Sequence, residues 1–101
     1  MKTVYLAGKI TGDEGYREKF AAAARELELA GFVVCNPAML PYPGFEYDQY
    51  LRMSAAMLEE CEAVCFLPDW VQSNGARLEY AMAIDAGKEI FYYREWIVGR
   101  S

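Results

Sequence analysis

Short β-rich apolar runs alternate with amphipathic stretches along this chain, and that alternation limits the fold more than any single residue does. Thr3 to Ala7 reads as a buried strand closed by Gly8. Tyr16, Phe20, Ala23, Leu27 and Ala30 then recur at spacings of 4, 3, 4 and 3, the apolar stripe of a helix that Gly31 ends. Phe32 to Cys35 is a second strand, broken by Asn36-Pro37, and Pro37 to Phe45, with three prolines and a glycine, is a long loop. Tyr47, Leu51, Ala55 and Leu58 trace a second helix, Ala63 to Leu67 a third strand, Gly75 to Ala86 a third helix capped by Gly87, and Ile90 to Tyr93 a fourth strand. Strand and helix in strict turn predict an α/β fold: a three-layer, flavodoxin-like or Rossmann-like parallel sheet with helices on both faces. A strand order of 2-1-3-4 places the ligand crevice between strands one and three, beside Gly8-Lys9 and Pro68-Asp69.

Several function classes drop out on composition. The 101 residues are expected to form a single domain, 1–101, with its own core. A formal net charge of −5 repels phosphate backbones, so nucleic-acid polymers and anionic membranes are poor partners and a small molecule or a protein is favoured. The absence of histidine removes imidazole general-base catalysis and histidine-ligated metal; no metal and no cofactor are expected. Cys35, Cys61 and Cys65 lie in or beside apolar runs without a C-x-x-C spacing, as reduced buried thiols of a cytoplasmic protein would. The stretch MKTVYLAGKI lacks a signal-peptide core, and no apolar run reaches the roughly 18 residues that a membrane span needs.

Against this background Glu79 stands out. Its neighbours three and four positions away, Gly75, Ala76, Met82 and Ala83, are all small or apolar, so the carboxylate is aimed along the helix face that packs inward. Burying an unpaired carboxylate costs several kcal/mol. Its nearness to the helix amino terminus is expected to favour the ionised form, which suits a nucleophile or an anchor. A structural pairing with a base such as Lys9 accounts for the same pattern. Asp69 follows the third strand, and Ser73-Asn74-Gly75 reads as a helix N-cap that also offers backbone N–H groups to an anion or hydroxyl. The loop Gly8-Lys9-Ile10-Thr11-Gly12 is neither a G-x-G-x-x-G nor a P-loop, and Asp13 and Glu14 directly after it disfavour a polyphosphate. Tyr42, Phe45, Tyr47 and Tyr50 crowd the long loop and the next helix start, placed for core packing or for stacking on a planar ring.

YLAGKITG, Asn36-Pro37, and LPDW followed by SNGARLEYAMA resemble the nucleoside 2-deoxyribosyltransferase superfamily, and especially its small branch labelled DUF4406, over nearly the whole chain. The resemblance implies that Tyr5 and Gly8 line the pocket, that Asp69 handles the base, that Glu79 attacks the anomeric carbon, and that Ser73 and Gly75 shape the sugar side. It implies a nucleoside or nucleotide as the small-molecule partner. Such chemistry passes through an oxocarbenium-like state, which a carboxylate stabilises and traps while a second acidic group serves the departing base. The chain departs from the superfamily where Cys61-Glu62-Ala63 replaces a common aspartate, and where YYREWIVGRS offers no counterpart to the carboxy-terminal pocket residue supplied by a neighbouring subunit. The leading expectation is therefore N-glycosidic bond hydrolysis or transfer; the alternative is a non-catalytic module that binds the same ligands. Eight tyrosines, five phenylalanines and two tryptophans in so small a domain further predict a homodimer or larger homo-oligomer, with the second helix and the tail around Trp96 in contact.

Overall fold

The computed structural model describes residues 2–40 and 44–100, so Tyr42, one of the rings expected around the long loop, lies outside the described residues. Strands β1 (Thr3–Ala7), β2 (Val33–Cys35), β3 (Ala63–Phe66) and β4 (Glu89–Tyr92) form one parallel sheet in the order β2-β1-β3-β4. Helices α1 (Tyr16–Leu29), α2 (Tyr47–Glu59) and α3 (Asn74–Asp85) connect them, and α4 (Tyr93–Gly99) follows β4. The chain leaves β1 toward β2 on one side and returns to β3 on the other, so the strand order reverses beside β1. That reversal opens a crevice beyond the carboxyl ends of β1 and β3.

Alternation along the central strands sorts the core into two halves. Val4 and Leu6 of β1 point to one face, where they pack with Phe20 and Leu27 of α1 and with Trp96 of α4. Tyr5 and Ala7 point to the other, where they meet Leu58 of α2, Ala83 of α3, and Val64 and Phe66 of β3. Both faces of β1 and β3 are covered, which is why these strands read as continuous apolar runs. Gly31 and Gly87 follow α1 and α3 with φ of +99° and +68°, the left-handed conformation that ends a helix at low cost for glycine alone.

Two departures from the sequence reading concern the ends of elements. The segment after Asn36 is not all loop: Pro37–Met39 forms a 3-10 turn, started by Asn36 Oδ1 accepting the Ala38 N–H at 2.9 Å. The tail after β4, outside the three helices read from the sequence, forms α4 because Trp96 docks onto Phe32 at 6.2 Å and Phe91 at 6.4 Å between ring centroids, with Arg100 over its ring at 4.8 Å. Much of the aromatic surplus is absorbed this way. A second cluster stacks Trp70 on Tyr80 at 4.8 Å, with Phe66 and Tyr92 against them.

Candidate functional site

Tyr5 belongs to the β1 face covered by α2 and α3, and α3 carries Glu79 across from it. The Tyr5 hydroxyl donates to Glu79 Oε2. Glu79 is 7% exposed and Tyr5 fully buried, so this is the polar contact at the base of the crevice. Burial pushes the Glu79 carboxyl up to about 7, and the Tyr5 hydrogen bond works in the opposite direction. The phenol is raised well above its ordinary range, by its own burial first and then by the charge of Glu79. The helix terminus does not hold Glu79 ionised as the sequence suggested. Glu79 sits in the second turn of α3, where the terminal dipole has fallen off and desolvation wins.

Above this pair opens a cavity of about 910 Å3. Tyr5, Gly8, Ser73, Gly75 and Glu79 all line it, so five of the seven residues singled out from sequence come together on one wall system. Ser73 caps α3 by accepting the Ala76 N–H on Oγ at 3.1 Å. Gly75 permits a close approach of α2: a Cβ there would stand 3.3 Å from the Tyr47 hydroxyl and 3.5 Å from Leu51 Cδ2.

Lys9 and Asp69 are held together beside Gly8 and lie outside the cavity lining. Asp69 Oδ1 accepts the Lys9 N–H at 3.0 Å, and Oδ2 pairs with Lys19 Nζ at 2.5 Å. Lys19 also pairs with Asp13 at 2.5 Å and donates to the Lys9 carbonyl at 2.7 Å. Partial burial alone would lower the Lys19 ammonium, but its two carboxylate partners outweigh that and hold it above its usual range. This lysine therefore ties the β1–α1 loop, α1 and the end of β3 into one unit. A Cβ on Gly8 would meet Leu67 Cβ at 3.0 Å and Asp69 Oδ1 at 3.2 Å, so the loop passes the β3 end at a distance that glycine alone accepts without displacement.

Sequence reasoning missed Lys19, and it missed Arg17, Tyr16 and Ser54, which also line the cavity. Tyr16 was visible only as part of an apolar stripe. For Tyr16, Arg17 and Lys19 the available signal was positional, since the first turn of α1 borders the crevice beyond β1; nothing of the kind marked Ser54, in the middle of α2. Among the described residues, no group of three or more Cys, Asp or Glu side chains is placed to hold a metal ion, and no helix is long and apolar enough to cross a membrane. Cys61 and Cys65 are buried free thiols pushed up to about 12 by desolvation, and Cys35 is free and half-buried.

Residues 2–92 match the family described as a domain of unknown function, DUF4406. No curated protein matches the chain. Among solved structures, the chain is similar to a 2-desoxiribosyltransferase from Leishmania mexicana with a TM-score of 0.71 and 20% identity, over 91% of this chain and 63% of that one. It is similar to the CMP N-glycosidase BcmB of Clostridium botulinum (TM-score 0.67, 24% identity, 90% of this chain and 70% of that one). A 2-deoxyribosyltransferase from Bacillus psychrosaccharolyticus gives 0.65 and 16%, over 89% and 70%. These likenesses establish the fold. The chain spans under two thirds of the length of the Leishmania protein.

Proposed function

This chain belongs to the DUF4406 family, and we propose that it breaks the N-glycosidic bond of a nucleoside or nucleotide, handing the sugar to water or to a second base, with Glu79 as nucleophile. The observation that carries the reading is a nearly buried carboxylate at the base of a cavity large enough to admit a nucleotide, paired among the described residues with a phenol rather than with a cation. A purely structural carboxylate at that position would be expected to carry a lysine or arginine partner.

In the first half-reaction the bond between the anomeric carbon and the base nitrogen breaks, and its electron pair leaves with the base. Glu79 Oε forms the new bond to that carbon, and the departing base takes a proton from water. In the second half, water or an incoming base attacks the same carbon, loses its proton to solvent, and Glu79 departs as carboxylate. Tyr5 orients the attacking oxygen, while Gly8, Ser73 and Gly75 supply a close backbone wall. Asp69 has both oxygens accepting hydrogen bonds, which supports a role in fixing the loop at Gly8 and Lys9; to protonate the base it would first have to release Lys19. Self-association through α2 belongs to the same reading, with Tyr47 exposed at its start and solution mass as its check; Trp96, expected in the same contact, packs on Phe32 and Phe91 of its own chain.

The test is to incubate the protein with deoxynucleosides and their monophosphates, with and without a free acceptor base, and to follow released and exchanged base. Release without acceptor indicates hydrolysis, and exchange indicates transfer. No reaction on any of them, combined with saturable ligand binding, would leave a binding module in place of an enzyme.

A further inference from the structure

The cavity is polarised across the strand ends. Of the side chains that line it among the described residues, Glu79 is the one carboxylate and Arg17 the one cation. They stand on opposite layers, since α3 covers the sheet face of Tyr5 and Ala7 while α1 covers the face of Val4 and Leu6. Arg17 Nε donates to the Tyr16 hydroxyl at 3.0 Å, and the guanidinium carbon lies 5.4 Å from the Tyr16 ring centroid. Both Nη groups are left without a partner, and no carboxylate pairs with the guanidinium, among the described residues. A cation in the first turn of α1 also opposes the helix dipole, so helix stability does not select it there.

We propose that Arg17 is a catalytic residue for the leaving side: its Nη groups donate to a carbonyl oxygen of the departing base, so the chain takes bases that carry a ring carbonyl, as pyrimidines do, ahead of adenine. This rests on the glycosyl-transfer function proposed above and supplies the cation that its leaving group needs. Displacement at the anomeric carbon is in line, so the base departs on the side of the sugar away from Glu79, across the strand ends toward α1. As Glu79 Oε bonds to that carbon, the electron pair of the broken C–N bond passes into the base and spreads onto a carbonyl oxygen conjugated with the nitrogen. One negative charge thus crosses the cavity from α3 toward Arg17, and solvent then supplies the proton that the base takes up. A planar guanidinium offers paired N–H donors to such an oxygen and stays charged throughout. Asp69 does not compete for this part, because it lies outside the cavity lining with the Lys9 N–H and Lys19 on its two oxygens. The ordinary alternative, a surface arginine resting on its neighbour's ring, leaves base release indifferent to Arg17.

The experiment compares base release from deoxyuridine, deoxyuridine monophosphate and deoxyadenosine by the wild type, Arg17→Met and Arg17→Lys. Arg17 is exposed, so both variants are expected to fold. Arg17→Met should lower kcat/KM about tenfold or more on deoxyuridine and by the same factor on its monophosphate, with a loss of about threefold or less on deoxyadenosine. Arg17→Lys, which keeps the charge without the paired donors, should fall between the wild type and Arg17→Met. A loss confined to the monophosphate assigns Arg17 to the phosphate and overturns the proposal. Unchanged release, or an equal loss on deoxyadenosine, overturns it as well. Binding is read without turnover in Glu79→Gln, where adding Arg17→Met should weaken deoxyuridine about fivefold and leave deoxyadenosine unchanged. If the wild type releases no base from any of the three compounds, the glycosyl-transfer function falls, and this binding difference alone decides whether Arg17 reads the base.

Discussion

Tyr5 and Glu79, 74 positions apart, share a buried hydrogen bond in which the phenol donates and the carboxylate accepts. A carboxylate paired with a neutral donor keeps most of its desolvation cost, and that cost places its ionisation at about 7. Glu79 therefore changes charge near neutrality, and its reactivity and its effect on stability both follow pH.

The proposed glycosyl transfer needs the ionised form of Glu79. The pH profile of kcat/KM for base release is expected to rise with pH up to about 7 and to level off above it. Tyr5→Phe removes the donor that favours the carboxylate, so the midpoint should move up by roughly one unit, with a fall in the plateau of about tenfold or more. A profile flat from pH 5 to 8 would remove Glu79 from the rate-determining chemistry.

Stability should move in the opposite sense to activity. Because Glu79 binds its proton more tightly in the fold than at its ordinary value of 4.5, unfolding free energy falls as pH rises from 4.5 to about 7. The cost is absent below that window and complete above it, where the shift corresponds to roughly 3 kcal/mol. Glu79→Gln keeps a partner for Tyr5 and loses the charge. It should match the wild type at pH 4 and exceed it at pH 8 by a few kcal/mol in urea denaturation.

The two close-approach glycines should respond differently to alanine. In Gly8→Ala the new methyl meets Leu67 Cβ, which is part of the β3 end and has no room to yield. A loss of about 1–3 kcal/mol is expected by thermal or urea unfolding. In Gly75→Ala the nearest atom is the tip of the Tyr47 side chain, which swings away. That variant should be stable within about 1 kcal/mol, helped by the better helix propensity of alanine, and should weaken ligand binding through the displaced ring.

Lys19→Met keeps the length of the side chain and removes the charge that joins Asp13, Asp69 and the Lys9 carbonyl. The β1–α1 loop should loosen without global unfolding. Amide exchange at Lys9, whose N–H is bonded to Asp69, should accelerate by roughly tenfold or more while the amides of Leu6 and Val64 stay protected. Equal acceleration throughout β1 and β3 would mean that Lys19 supports the whole sheet.

The sheet was legible in the sequence because its central strands are buried on both sides, so Thr3–Ala7 and Ala63–Phe66 appear as uninterrupted apolar runs between glycine and proline breaks. Glu79 was legible for the same kind of reason, as a charge among alanines on a face that packs inward. Its partner was harder to see. Tyr5 lies within a strand where any large apolar residue fits, and only the sheet order brings it under α3. Lys19 sits in a helix at a position where lysine is unremarkable, and its role comes from Asp69 and the Lys9 carbonyl, on loops that only the fold brings to it. The α4 helix was missed because Tyr93 reads as the last residue of the fourth strand and Trp96 as part of a tail until Phe32 and Phe91 are placed beneath the indole.

The most direct measurement is intact-protein and peptide mass spectrometry after mixing the wild type with a deoxynucleoside or deoxynucleotide whose sugar carries a 2-fluoro group, which slows breakdown of a glycosyl–enzyme ester. Release of one base per chain, with a sugar-sized mass increment on the peptide that contains Glu79 and none on Glu79→Gln, is the predicted result. Stable protein that binds these compounds yet releases no base and gains no mass would contradict a nucleophilic Glu79 and assign the cavity to binding alone.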